Sequence, residues 1–288
     1  MVLIADSGST KCDWILYESK EKLPLRIRTK GLNPVILSKK EFQKIITENS
    51  KLSAHKDKIT SVCFFGAGCG TKKNQAKVEL ILNSFFENAT AIVREDIMAA
   101  VWATTNEPAV VCILGTGSNC CYFDGHTTHS KIPSLGYMVM DEGSGNYFGK
   151  RLLRGYFYKK MPEELRLSFE ATFNLKEKKV VDKLYKSATP NRYLAEFAKF
   201  MFENREHTYI AKLLAKGMAK FIENHILQYR EELKTVPLHF VGSIAYHGKD
   251  FINSELSKKG LLATSFVRRP MENLIHHLRE DNFHVELN

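Results

Sequence analysis

Two stretches of this chain follow one pattern, in which an apolar strand breaks into a turn of glycine and hydroxyl residues and a second strand follows at once. The first is Val2-Leu-Ile-Ala-Asp-Ser-Gly-Ser-Thr-Lys-Cys-Asp-Trp-Ile-Leu-Tyr17; the second is Val110-Val-Cys-Ile-Leu-Gly-Thr-Gly-Ser-Asn-Cys-Cys-Tyr-Phe123. Laid over each other at an offset of 109 (115 minus 6), Gly8 meets Gly117, Ser9 meets Ser118 and Cys12 meets Cys121. A repeat at fixed offset predicts a duplicated architecture with one such turn per half. Asp, Ser and Gly are ordinary turn residues, so two unrelated hairpins are the plain alternative. Turns of this composition also expose several backbone N–H groups, and the first adds the Asp6 carboxylate, a combination suited to a phosphate and its Mg²⁺.

The 288 residues suffice for two domains with separate cores. A hydrophobic content of 44% with 26% charged residues is that of a globular chain, and no apolar run reaches the roughly 20 residues of a membrane span. Asp6 interrupts the first apolar run and no basic region precedes it, so no signal peptide is expected and the cytoplasm is the expected location. The six cysteines, at 12, 63, 69, 112, 120 and 121, include no Cys-x-x-Cys pair and read as reduced thiols. A net charge of +10 favours anionic ligands, nucleotides included. No helix-turn-helix, zinc or aromatic-basic module is legible, so nucleic acid is not an expected partner, and neither is a membrane. Oligomeric state is not written in the sequence, and a homodimer is left open.

Along the chain, strands are expected near 1–6, 13–17, 25–30, 61–66 and 91–94, with helices near 38–49, 73–87 and 96–104. The second half opens alike, with strands near 109–114, 119–124 and 127–132, then departs into a helical stretch from about 144 to 234. A strand at 238–241, a helix near 248–258, a strand at 262–267 and a last helix from Pro270 complete it. The division therefore falls at 1–107 and 108–288, with a hinge at Thr105-Asn-Glu-Pro108 and two mixed sheets flanked by helices.

Four loops stand at strand ends, at 6–11, 66–71, 115–119 and 242–245, where ligands gather in open α/β sheets. Gly66-Ala-Gly-Cys-Gly70 lets a ligand touch backbone, or is simply a tight strand–helix turn, and Gly242-Ser243 has the same ambiguity. In Arg94-Glu-Asp-Ile97 a strand meets a helix; Asp96 is either an N-cap or a general base for a substrate hydroxyl. Gly136-Tyr-Met-Val-Met-Asp-Glu-Gly-Ser-Gly145 is a glycine-bracketed loop whose Asp141 and Glu142 can order a polar ligand, favour a helix dipole, or do both.

This set of motifs resembles the sugar kinase/actin/heat-shock ATPase superfamily. It is more narrowly similar to the N-acetylglucosamine kinases, within the family that includes the benzoyl-CoA and hydroxyacyl-CoA dehydratase activator ATPases. Ala5-Asp-Ser-Gly-Ser-Thr-Lys-Cys-Asp13 and Leu114-Gly-Thr-Gly-Ser-Asn-Cys120 resemble that family's two phosphate loops, Gly136 to Ser144 its Gly-x-x-x-x-Asp-Glu-Gly-Ser, and Val241-Gly-Ser-Ile244 its adenosine loop. The resemblance implies an α/β fold of two duplicated ribonuclease H-like (actin-like ATPase) lobes around a central cleft, closing on ligand, the second lobe carrying the helical insertion. It implies ATP and Mg²⁺ as cofactors and a small amino sugar as partner. Asp6 would order Mg²⁺ through water; Ser9, Thr10, Lys11, Gly115, Thr116 and Gly117 would hold phosphates; Gly242 and Ser243 would border the adenosine. Asp96 would be the catalytic base, and Asn33, Ser118, Asn119, Gly136 and Asp141 would hold the sugar. Ser7 stands where relatives commonly have glycine, and Leu135 where relatives have tryptophan.

The expected activity is an ATP-dependent phosphorylation of N-acetylglucosamine, or a related amino sugar, at the 6-hydroxyl. Two other readings compete. An electron-transferring activator ATPase would need cluster-ligating cysteines in the second half, yet no cysteine follows Cys121. A non-catalytic sugar sensor on the same fold would have no use for Asp96.

Overall fold

The structure is a computed structural model that describes residues 1–8, 11–19, 21–187, 189–271 and 273–274. The chain divides into two units, Met1–Ala103 with Pro270 onward, and Thr104–Arg269.

In the first unit, β1 (Val2–Ser7), β2 (Lys11–Tyr17) and β3 (Leu25–Lys30) form an antiparallel meander. Helices α1 (Lys39–Thr47) and α2 (Ser50–His55) follow, then β4 (Ser61–Gly66), α3 (Lys72–Phe85), β5 (Thr90–Glu95) and α4 (Asp96–Trp102). β4 and β5 extend the sheet in parallel, giving the order β3-β2-β1-β4-β5. Local chemistry sets the boundaries: Ser38 and Glu41 form a capping box at α1, and Phe42 and Ile46, four residues apart, turn one stripe inward. Trp14, Phe42 and Phe64 pack in the core of this unit.

The second unit repeats the plan. β6 (Ala109–Leu114), β7 (Ser118–Phe123) and β8 (Thr128–His129) form the meander. Helices α5 (Gly145–Phe157), α6 (Glu163–Thr172), α7 (Glu177–Tyr185), α8 (Pro190–Glu196), α9 (Ala198–Glu203) and α10 (Thr208–Asn224) come next. Then follow β9 (Leu238–Val241), α11 (Ser243–His247), α12 (Lys249–Ser257) and β10 (Ser265–Val267). The sheet order β10-β9-β6-β7-β8, with β9 and β10 parallel to β6, is the order of the first unit. Both sheets are thus ribonuclease H-like, and the helices between β8 and β9 are the insertion. The insertion packs into the same core as the sheet, with Phe169 and Phe173 in ring contact with each other and each with Phe197 and Phe200, at 4.7–6.2 Å. Gly149 lets α5 meet α8 backbone to backbone, since a Cβ there would overlap the Leu194 carbonyl.

Three expectations are revised. The constant offset of 109 fails at the turns: Ser7 pairs with Cys12 but Leu114 pairs with Ser118, so the first turn is one residue longer. The six-residue strand expected at 127–132 shrinks to Thr128–His129, because Asp124 turns the chain by accepting from the His126 and Thr127 N–H groups. The described residues after Arg269, Pro270 to Leu274 apart from 272, group with the first unit rather than the second. Met271 and Leu274 are buried, and the Asn273 amide donates to the Ala103 carbonyl at 3.1 Å.

Candidate active site

In the first unit, chemistry gathers at the carboxyl ends of β1, β4 and β5. Asp6 is the next-to-last residue of β1, and Ser7, which ends the strand, is fully buried and ties three segments together. The Ser7 hydroxyl accepts from the Leu32 N–H at 2.8 Å, and the Ser7 carbonyl accepts from the Ala67 N–H at 2.8 Å. Ser7 therefore links the first turn both to the Gly31–Pro34 loop and to the glycine loop after β4. Asn33 follows Leu32, is buried, and lies against Gly68, where any Cβ would overlap its Oδ1. That Oδ1 accepts from the Val35 N–H at 2.9 Å.

Asp96 is the first residue of α4, not its N-cap; Glu95 holds the cap position and makes no side-chain cap bond. The Asp96 carboxyl is reachable by solvent yet ringed by enough protein to shift its titration. Burial and the Glu95 charge push its pKa up, while the Ile97 N–H works the other way. Asp6 feels Asp96 in turn: burial, then the Asp96 and Asp13 charges, raise its pKa to about 6, against a lowering by Lys11. Burial, then the Asp96 charge, also pushes the Cys69 thiol to about 12, so that thiol stays protonated. Asp6, Asn33 and Asp96 are thus neighbours around the 66–70 loop. Lys11 is turned to Asp13, at 2.7 Å on the surface. Ser9 and Thr10 lie outside the described residues.

In the second unit, Gly115, Thr116 and Gly117 make the turn between β6 and β7. The Gly115 N–H donates to the Gly117 carbonyl, and Ser118 gives its N–H to Asp141 Oδ1 at 3.2 Å. Thr116 and Gly117, at the open tip, have N–H groups with no protein acceptor among the described residues. Two adjacent bare N–H groups form an anion cradle. Gly242 closes the turn's flank: its φ of +113° and its approach to the Leu114 carbonyl both exclude a side chain. Ser243 begins α11, while Asn119 spends its Oδ1 on the Cys120 N–H.

Gly136, at φ +77°, starts a tight turn whose carbonyl accepts from the Val139 and Met140 N–H groups. The turn delivers Asp141, a non-glycine residue at φ +70° that is almost wholly buried. Its side chain presses on Gly117, where a Cβ would stand 2.9 Å from Oδ2. Asn146, which the sequence reading passed over, donates its side-chain amide to Asp141 Oδ2 at 2.7 Å. Lys150 donates to the Tyr137 carbonyl, and His225 faces Glu142 at 3.6 Å; burial lowers the pKa of both Lys150 and His225. Leu135 is exposed, as are Met138 and Val139.

The family model described as the BadF/BadG/BcrA/BcrD ATPase family matches residues 5–266. The chain belongs to that family. Among solved structures, it is similar to a Porphyromonas gingivalis protein provisionally named an N-acetylglucosamine kinase, at 32% identity, covering 98% of this chain and 100% of that one, with a TM-score of 0.87. A second protein provisionally so named, from Chromobacterium violaceum, matches at 14% identity over 95% and 97% of the two chains, TM-score 0.66. A ROK family glucokinase from Streptomyces griseus, solved with glucose and AMPPNP, matches at 12% identity over 95% and 96%, TM-score 0.52. These last two share the fold alone. No curated protein matches the sequence significantly. The BadF/BadG/BcrA/BcrD ATPase family member described here thus has the two-lobe, sugar-kinase-like ATPase fold. Among its described residues, no helix is long and apolar enough to cross a membrane.

Proposed function

We propose that this chain is a cytoplasmic ATP-dependent kinase that transfers the γ-phosphoryl group of ATP to the 6-hydroxyl of an amino sugar, N-acetylglucosamine first among them. The observation that carries this reading is the Asp6–Asp96 pair: two carboxyls of the first unit, each raised by burial, with the Asp96 charge raising Asp6 further. Phosphoryl transfer asks a protein mainly for phosphate cradles, charge neutralisation and an oriented nucleophile. Family membership and the likeness to the P. gingivalis protein support the same activity.

In this reading Asp96 accepts the 6-hydroxyl proton as the oxygen forms its bond to phosphorus and the bond to ADP breaks. A carboxylate with a raised pKa is a stronger base than a free one. Asn33 and Asp141 orient sugar hydroxyls, and the bare N–H groups of Thr116 and Gly117 hold phosphate oxygens. Gly242 and Ser243 border the adenosine. Asp6 suits a hydrated Mg²⁺, because two neighbouring carboxyls with raised pKa values are relieved by a cation. When bound, Mg²⁺ neutralises charge on the transferring phosphates.

The test is ADP release from Mg-ATP with a panel of amino sugars, run beside Asp96→Asn. The expected result is turnover with N-acetylglucosamine, and a kcat lower by roughly 10²-fold in the variant with nucleotide affinity kept. No ADP release with any amino sugar, or a variant with full turnover, refutes the proposal.

A further inference from the structure

We propose that Asn146 is a positioning residue for sugar recognition, holding the Asp141 carboxylate against the second phosphate turn. The inference rests on the reading of Asp141 as a sugar contact. Asn146 is wholly buried in the first turn of α5, where packing alone would favour an apolar side chain. Its side-chain amide donates to Asp141 Oδ2 at 2.7 Å, and its backbone N–H donates to the Thr116 carbonyl at 3.0 Å. The preceding Gly145 N–H donates to the Gly115 carbonyl at 2.8 Å. One residue thus joins the phosphate turn to the carboxylate. No described protein group reaches Asn146 Oδ1, although it is buried. A residue kept only for packing would not carry a bare acceptor, so the amide's work on Asp141 accounts for the choice.

Asp141 itself needs such a hold. Its backbone sits in the left-handed region at φ +70°, which few non-glycine residues adopt, and among the described residues its Oδ1 takes only the Ser118 N–H at 3.2 Å. The titratable groups around it are Lys150 from α5, Glu142 beside it, and His225 after α10, which faces Glu142. None of these donates a described hydrogen bond to Asp141. Asn146 therefore fixes one carboxylate oxygen and leaves the remaining lone pairs for a hydroxyl-bearing ligand.

The experiment measures N-acetylglucosamine affinity by calorimetry across pH for the full chain and for Asn146→Ala, Asn146→Asp and Asp141→Asn. Loss of a hydrogen bond to a charged group predicts roughly tenfold or greater weakening in Asn146→Ala at every pH. Asn146→Asp is nearly isosteric but sets a second carboxyl against Asp141. Such a pair shares one proton at low pH and repels at high pH, so one of its pKa values rises. The variant is expected to bind sugar much as the wild type does in acid and to lose affinity as pH rises, a trend that general destabilisation does not produce. Asp141→Asn is expected to weaken sugar binding. If it does while both Asn146 variants bind sugar as the wild type does at all pH values, only the positioning role falls. If Asp141→Asn leaves affinity unchanged, the sugar role of Asp141 falls and this proposal with it.

Discussion

The Asp6 carboxyl titrates at about 6 rather than near 3.8 because burial and the Asp96 and Asp13 charges all oppose its ionisation. The folded state therefore holds that proton more tightly than the unfolded chain does. Between roughly pH 4 and 6 the unfolded state releases it first, so wild-type stability declines as pH rises through that window. Above it the strain is complete, about 2 kcal/mol once partial solvent access is discounted. Asp6→Asn removes the strain: relative to wild type, the variant is expected to gain stability at pH 7 and to show no gain below about pH 4. Urea denaturation at both pH values checks this, and an equal difference at both would remove the burial argument. Ser7, beside it, shows what one sequence leaves unread. Its identity registered only as a serine in place of glycine, whereas its hydroxyl anchors the Leu32 N–H twenty-five positions away. Asn146 is similar: an asparagine in the first turn of a helix is unremarkable until its partner across the loop is known.

Elements were legible where the pattern is local. Apolar runs marked β1, β4 and β6, because each depends only on the residues within it. What failed depends on partners. The short β8 is limited by a turn that Asp124 fixes, and the mismatch between the two phosphate turns shows only in cross-strand register. Ser243–His247 looked like a loop because a five-residue helix after glycine has too little sequence to show a period. The α5–α8 contact yields the prediction for this scale. Gly149→Ala inserts a methyl group into the Leu194 carbonyl, so the helices must separate. Overpacking of this kind costs about 1–3 kcal/mol, read as a lower thermal midpoint. A midpoint equal to wild type would mean that the two helices tolerate displacement freely.

The described residues form two hydrophobic cores, one within residues 3–93 and one within residues 110–256. Both tryptophans, Trp14 and Trp102, belong to the first unit, while the helical insertion belongs to the second. Tryptophan fluorescence therefore reports one core, and far-ultraviolet circular dichroism reports mainly the other. The two unfolding curves of the full chain are expected to separate, since coincident probes are the mark of a single cooperative transition. Superimposable curves would show that the units unfold as one.

The chain crosses between units twice, at Ala103–Thr104 and again at Arg269–Pro270. One unit is thus contiguous and the other is split by it. During synthesis, residues 104–269 emerge as an uninterrupted block ahead of the segment that begins at Pro270. The unit that is translated first closes after the other: its sheet can assemble early, but Met271 and Leu274, both buried, cannot join it until residues 270–274 have been made. A nascent chain stalled before Pro270 would expose apolar surface on the unit that carries Asp6 and Asp96, making that interval the one in which the protein most needs a chaperone.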